Sequence, residues 1–250
     1  MANYKIIIQY DGTRYKGWQR QKTTDQTIQG KIEAILSRQY ERTIEIDGSG
    51  RTDAGVHAHG QVANFRIPEA CCEGKTPEEV CEELKALFAQ YLPEDIAVVD
   101  VRAASERFHS RLNVVKKTYV YRIWNAEYPN VFERKYMLHD NRPMDVEAMR
   151  QAAQLLTGTH DFAAFSNGRT KKSTVRTVET IKINREGQLI QIQLTANSFL
   201  RHMPQLLAGS ILTAGKEKKT DGTTLTLAGV ESAAPACPSH AFTLTDVQLR

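Results

Sequence analysis

The chain has 250 residues, 41% of them hydrophobic and 25% charged, with a formal net charge of +4. These values lie in the ordinary globular range and allow a real core in one or two closely packed modules. No run approaches the roughly 18 apolar residues of a membrane span, and the start, MANYKIIIQYDGTRYKGWQR, lacks a leader-like apolar core, so a cytosolic protein without a membrane partner is expected. The four cysteines, Cys71, Cys72, Cys81 and Cys237, have neither CxxC spacing nor histidines at zinc-like intervals; free thiols and no metal are expected.

In chain order, NYKIIIQY (3–10) reads as a strand stopped by Asp11-Gly12. TIQGKIEAILSRQ (27–39) has helical spacing of Ile28, Ile32, Ile35 and Leu36. TPEEVCEELKALFAQYLP (76–93) is a second helix, with a Thr76–Glu79 capping box, Pro77 in the first turn and a stripe of Val80, Leu84, Leu87, Phe88 and Tyr91. RTIEID (42–47), GQVANFRI (60–67) and IAVVDVRAA (96–104) read as strands. KTYVYRIW (117–124) follows, then a helix from Asp145 to Gly158, strands at 177–184 and 188–195 joined by Arg185-Glu186-Gly187, and an apolar helical segment at 198–215. Short hairpin links between strands predict an α+β protein: two similar lobes, 1–104 and 105–250, with antiparallel sheets meeting in a central cleft.

The charges are segregated. Glu69 to Asp100 holds nine acidic residues against two lysines, whereas Ser105 to Arg122 holds five basic against one acidic and Ser166 to Arg185 six against one. Basic clusters of this kind suit phosphate contacts, although lysines guarding a strand edge look the same.

GSGRTDAGVH (48–57) packs Gly48, Gly50 and Gly55 around Arg51, Asp53 and His57. Glycines permit positive φ and close backbone approach, as in a loop wrapped against a ligand. A plain hairpin turn fits too. A phosphate loop is disfavoured, since no GK[ST] follows and Asp53 would repel an anion. Metal binding by His57 and His59 lacks further ligands. A carboxylate beside an arginine also suits a nucleophile held ionised by positive charge, and a structural Arg–Asp pair is its bland counterpart.

GSGRTDAGVHAHGQVANF resembles the signature of the tRNA pseudouridine synthase A family. YDGTRYKGWQRQ (10–21), TIQG (27–30), FHSRLNVVKKTYVYRI (108–123), LTGTHDFAAFSN (156–167) and ANSFLRHM (196–203) resemble further blocks in the same order, so the likeness runs to about residue 215. The resemblance implies a pseudouridine synthase fold and an isomerase that needs no cofactor. Such an enzyme breaks the N1–C1′ bond of a tRNA uridine, turns the base and rejoins it through C5, at positions 38 to 40 of the anticodon arm, working as a cytoplasmic homodimer. By the same likeness Asp53 is the catalytic carboxylate, Tyr119 stacks on the target base, and Arg51 fills the space left by the extruded base. A flipped base needs such a substitute for its lost stacking. The bland counterpart for Tyr119 is a strand aromatic packed in the core, which Tyr121, on the same face two residues on, could equally be. Arg14, Lys16, Arg20, Lys22, His109, Arg111, Arg169 and Arg176 are candidates for gripping the RNA backbone.

Three stretches depart from the family pattern. Where the family has Val-Arg-Asn-Ile-Val-Gly, this chain reads Pro204-Gln205-Leu206-Leu207-Ala208-Gly209, so an arginine becomes Gln205; Pro204 is tolerable only in a helix's first turn. His240 and Ala241 stand where Gly-Leu is usual, and alanine offers less surface to a base. Residues 220–238 also fit poorly. These changes raise an alternative, an RNA-binding or tRNA-folding paralogue with weakened catalysis. A glycoside-cleaving enzyme pairing Asp53 with Asp161 is the weakest reading.

Overall fold

Strand β1 (Ala2–Tyr10) buries Tyr4, Ile6, Ile8 and Tyr10, the alternation expected of a strand with one face on a core. It lies in the first of two compact units of a computed structural model that describes residues 1–167, 173–216 and 235–250. This unit comprises Met1–Val115 with Leu244–Arg250. Its helices are α1 (Ile28–Gln39) and α2 (Pro77–Tyr91), and its other strands are β2 (Ile46–Gly48), β3 (His57–Ile67) and β4 (Ile96–Ala104). β1 pairs antiparallel with β3, Ile6 opposite Ala63, and with β4, Ile6 opposite Val101.

Both helices begin as their sequences predict. Thr27 caps α1, accepting from the Gly30 amide, and Thr76 and Glu79 form the reciprocal box on α2. Ile28, Ile32, Leu36, Leu84 and Phe88 are buried, Phe88 edge-on to Phe65 at 6.4 Å. Tyr91 leaves the expected stripe: it is exposed, with the Arg38 guanidinium 5.6 Å above its ring. The strand expected at 42–47 shrinks to β2, and side chains of α1 meet amides just before it and at its first residue. Ser37 Oγ accepts from Ile44 N at 3.0 Å, and Glu33 Oε1 from Ile46 N at 3.0 Å.

The second unit is Lys116–Thr243. It contains most of β5 (Val114–Trp124), with β6 (Leu138–His139), β7 (Gly158–Asp161), β8 (Val175–Glu186) and β9 (Leu189–Ala196). The strand order β5-β9-β8-β7 is antiparallel throughout, while the two-residue β6 runs parallel to the end of β5. Gly187 turns the β8–β9 hairpin at φ 59°.

Helices α3 (Val146–Leu156) and α4 (Met203–Lys216) belong to this unit. They approach so closely that a Cβ on Gly215 would lie 2.5 Å from Met149 Cγ. The segment predicted helical from 198 starts five residues later, and Pro204 is its second residue, where the missing amide breaks no helical bond. His202, just before it, has φ 61°.

A last strand, β10 (Phe242–Leu249), begins in the second unit and ends in the first, where it lies beside β3. The antiparallel strands and helices make the α+β class expected from sequence.

Candidate active site

In the first unit, the stretch 48–57 joins β2 to β3 and is held along its length by backbone and buried side chains. Ser49 N donates to Val62 O at 2.7 Å and Ser49 Oγ to Gln61 Oε1 at 2.6 Å. Gln61 Nε2 in turn donates to Gly50 O at 3.0 Å. At the middle, Trp18 N donates to Thr52 O at 3.0 Å, and the Tyr10 hydroxyl shares a 2.8 Å bond with Thr52 Oγ1. Val56 N then closes back on Asp53 O at 3.2 Å.

Two glycines show how tight this packing is. A Cβ on Gly17, whose φ is 95°, would sit 2.8 Å from Thr52 O, and one on Gly48 would sit 2.6 Å from the Trp18 indole. The glycines of YDGTRYKGW therefore serve the loop of GSGRTDAGVH. Against this backing Asp53 is half-buried and Arg51 exposed. A half-buried carboxylate on a braced loop, with a cation two residues away, can act as a nucleophile or base without first being ordered.

The basic candidates of this unit fall into two kinds. Arg14 pairs with Asp95 at 2.6 Å, and Arg20 bridges the buried Glu33 at 3.2 Å and the exposed Glu45 at 3.1 Å. Burial raises the Glu33 carboxyl, and Gln29, the Ile46 amide and Arg20 offset part of that cost. Lys16, Lys22 and Arg111 are exposed, whereas His109 is half-buried, its Nδ1 accepting from Arg111 N at 3.2 Å and its Nε2 3.8 Å from Asp47.

In the second unit, Tyr119 lies opposite Leu194 on β9 with 8% of its surface exposed and the Phe199 ring edge-on at 5.3 Å. Tyr121 is fully buried and rests on Phe242 at 4.4 Å. Burial pushes the Tyr121 hydroxyl far above the usual phenol range, so it stays neutral. Tyr121 is thus a core residue with no exposed surface, whereas Tyr119, buried as well, keeps a small exposed fraction. Arg176 is half-buried, its guanidinium donating to Ser173 O at 2.9 Å and Val175 O at 2.6 Å. Arg169 lies outside the described residues, as do 220–234 of the divergent segment.

The departures noted in sequence lie on α4 and before β10. Gln205 is buried, its backbone carbonyl accepting from Cys237 N at 3.0 Å, and a Cβ on Gly209 would meet Pro235 O at 2.1 Å. Ala241 is fully buried, with the large Phe242 beside it in sequence. Asp161 is occupied locally, accepting from Ala163 N and the Thr174 hydroxyl. No cluster of three metal-ligating side chains occurs among the described residues.

Sequence reasoning passed over Tyr10, Trp18, Gln61 and Phe199. Gln61 carried a signal: a glutamine inside the apolar strand HGQVANF must find partners once buried. For the others the contacts are tertiary and leave no local trace.

A family model described as "tRNA pseudouridine synthase" matches residues 6–113 and 152–247. "tRNA pseudouridine synthase A 2" of Bacillus cereus (strain ZK / E33L) is 46% identical over 86% of this chain and 85% of its own. "tRNA pseudouridine synthase A" of Bacillus sp. (strain KSM-64) is 46% identical over 91% and 90%, and "tRNA pseudouridine synthase A 1" of Clostridium tetani (strain Massachusetts / E88) 44% over 87% and 86%. These matches define the class as an RNA-modifying isomerase. The chain belongs to the tRNA pseudouridine synthase A family.

Proposed function

We propose that this chain converts uridine to pseudouridine in the anticodon arm of tRNA, at positions 38 to 40, with Asp53 as the catalytic carboxylate. The observation that carries this reading is the half-buried Asp53 on a loop braced by Trp18, Tyr10 and Gln61, within the block that matches the family. The N1–C1′ bond breaks and a C5–C1′ bond forms, while C5 loses a proton and N1 gains one. Substrate and product are isomers, so the reaction calls for no redox partner or group donor.

In this reading the exposed Arg51 takes the place of the extruded base and contacts its phosphate, and the ring face of Tyr119 stacks on the uracil. Lys16, Lys22, Arg111, His109, Arg169 and Arg176 hold the RNA backbone. Arg14 and Arg20, already paired with carboxylates, contribute less. The enzyme works in the cytoplasm as a homodimer; no described helix is long and apolar enough to cross a membrane.

A second reading, an RNA-binding or tRNA-folding paralogue with weakened catalysis, is favoured by Gln205 standing where the family has arginine and by Ala241. Incubation with unmodified tRNA followed by pseudouridine mapping separates the two. Modification at positions 38 to 40 is expected. Binding without product, with activity awakened by Gln205→Arg, would transfer the conclusion to the second reading.

A further inference from the structure

Four residues beyond Asp53, His57 opens β3 with 3% of its surface exposed. Its Nδ1 lies 3.0 Å from the Gly12 amide nitrogen and 3.1 Å from Asp11 Oδ1. One ring nitrogen cannot accept and donate at once. With a lone pair on Nδ1 the imidazole accepts the Gly12 N–H; with a hydrogen on Nδ1, that N–H faces the Asp11 carboxylate. Either form ties His57 to the same two-residue turn.

That turn has little freedom to follow a moving loop. Asp11 N donates to Asp95 O at 3.0 Å, and Asp11 Oδ1 accepts from Thr13 N at 2.9 Å. A Cβ on Gly12 would lie 2.0 Å from Val56 O, so the loop's exit and the turn are in direct backbone contact. The start of the loop is held separately by Ser49 and Gln61, and its middle by Trp18 and Tyr10. Its exit is held by Gly12 and His57, beside the Tyr10–Ala58 pairing of β1 with β3. A side chain needed only to fill space would be apolar here, because burying an imidazole costs free energy that an aimed hydrogen bond must offset.

We infer that His57 is a positioning residue: it pins the exit of the loop to the Asp11–Gly12 turn and so fixes where the Asp53 carboxylate stands. The inference rests on the reading of Asp53 as the catalytic carboxylate. Misplacement of a reacting group by about 1 Å is enough to cost on the order of 100-fold in rate.

The test compares the full chain with His57→Ala, His57→Asn and His57→Gln. Asparagine presents its amide oxygen near the Nδ1 position and can accept the Gly12 N–H; glutamine reaches instead toward the Nε2 position. Single-turnover pseudouridine formation, tRNA affinity and amide hydrogen exchange at Gly12 and Val56 are measured together. His57→Ala is expected to slow the reaction by about 100-fold while tRNA affinity stays within about threefold, and to speed exchange at both amides. His57→Asn should recover most of the rate and the protection, and His57→Gln little of either. A rate within about twofold of the unaltered protein in His57→Ala, or equal behaviour of the Asn and Gln variants, would overturn the inference. Should His57→Ala fail to fold, the Asn and Gln pair still decides it. If the unaltered protein makes no pseudouridine, the reading of Asp53 fails instead, and exchange at Gly12 and Val56 still reports whether the pin exists.

Discussion

The loop at 48–57 and the segment around the start of α4 meet the same demand, placing polar groups beside an apolar core, by opposite means. The loop is built from glycines and backbone hydrogen bonds, braced by the side chains of Gln61, Tyr10 and His57, with no room for a Cβ on Gly48 or on Gly17 behind it. The α4 start is built from buried side chains, Met203, Pro204 and Gln205, on a helix backed by Pro235 and Cys237. Backbone-held geometry tolerates almost no substitution, because a Cβ or a changed φ acts on every bond at once. Side-chain packing tolerates exchange of one residue for another of similar volume. On this ground GSGRTDAGVH is the stretch where substitution costs most, and Pro204-Gln205 one where exchange is easier.

The largest expected effect falls on the loop's chemistry. Asp53→Asn should lower pseudouridine formation by about a thousandfold or more, measured in single turnover, with tRNA binding in a filter assay little changed. Retained activity would move the chemistry off the loop altogether.

Gly17→Ala tests the backbone side of the comparison. It adds a Cβ 2.8 Å from Thr52 O at a φ of 95°, and should cost about 2 kcal/mol or more in denaturant unfolding. An unchanged midpoint would mean that the loop's backing yields more than its hydrogen bonds suggest.

On the aromatic side, Tyr119→Ala should weaken binding of the reacting uridine by about 1–3 kcal/mol in kcat/KM, and Tyr119→Phe by much less if stacking is its main role. Equal losses in both variants would assign the role to the hydroxyl.

The smallest effect concerns the backing of α4. Burial pushes the Cys237 thiol up to about 11, against the opposing hydrogen bond of Tyr121 and charge of Lys216. Its folded pKa lies above the unfolded value of about 8.5, so the neutral thiol favours the folded state. That contribution is complete below about pH 8.5 and is lost as pH rises toward 11. At pH 8 iodoacetamide should label the half-buried Cys71 and Cys72 well before Cys237, as read by peptide mass mapping. Early labelling of Cys237 would show that the segment behind Gly209 opens readily.

Much of the fold was legible because local rules and tertiary structure agree. The alternation of Tyr4, Ile6, Ile8 and Tyr10 and the Thr76–Glu79 box need only neighbours in sequence, and both form as read. Where a distant group intervened, the local reading failed. Residues 42–45 have strand composition, yet Ser37 of α1 takes the amide of Ile44, and only Ile46–Gly48 pairs. Tyr91 fits the stripe of α2 by spacing but lies at the helix end, where solvent and Arg38 cover it.

The sequence by itself determined the helices, the alternating strands and the identity of the loop that carries Asp53, because capping, periodicity and glycine content act over a few residues. It also exposed the family resemblance through motif order. Only the tertiary structure decided that β10 returns to lie beside β3, that Tyr121 is wholly buried while Tyr119 keeps a small exposed fraction, and that Arg14 and Arg20 are paired with carboxylates. Those outcomes depend on which residues meet across tens or hundreds of positions, and a buried hydrogen bond or ion pair is set by its partner rather than by its neighbours in the chain.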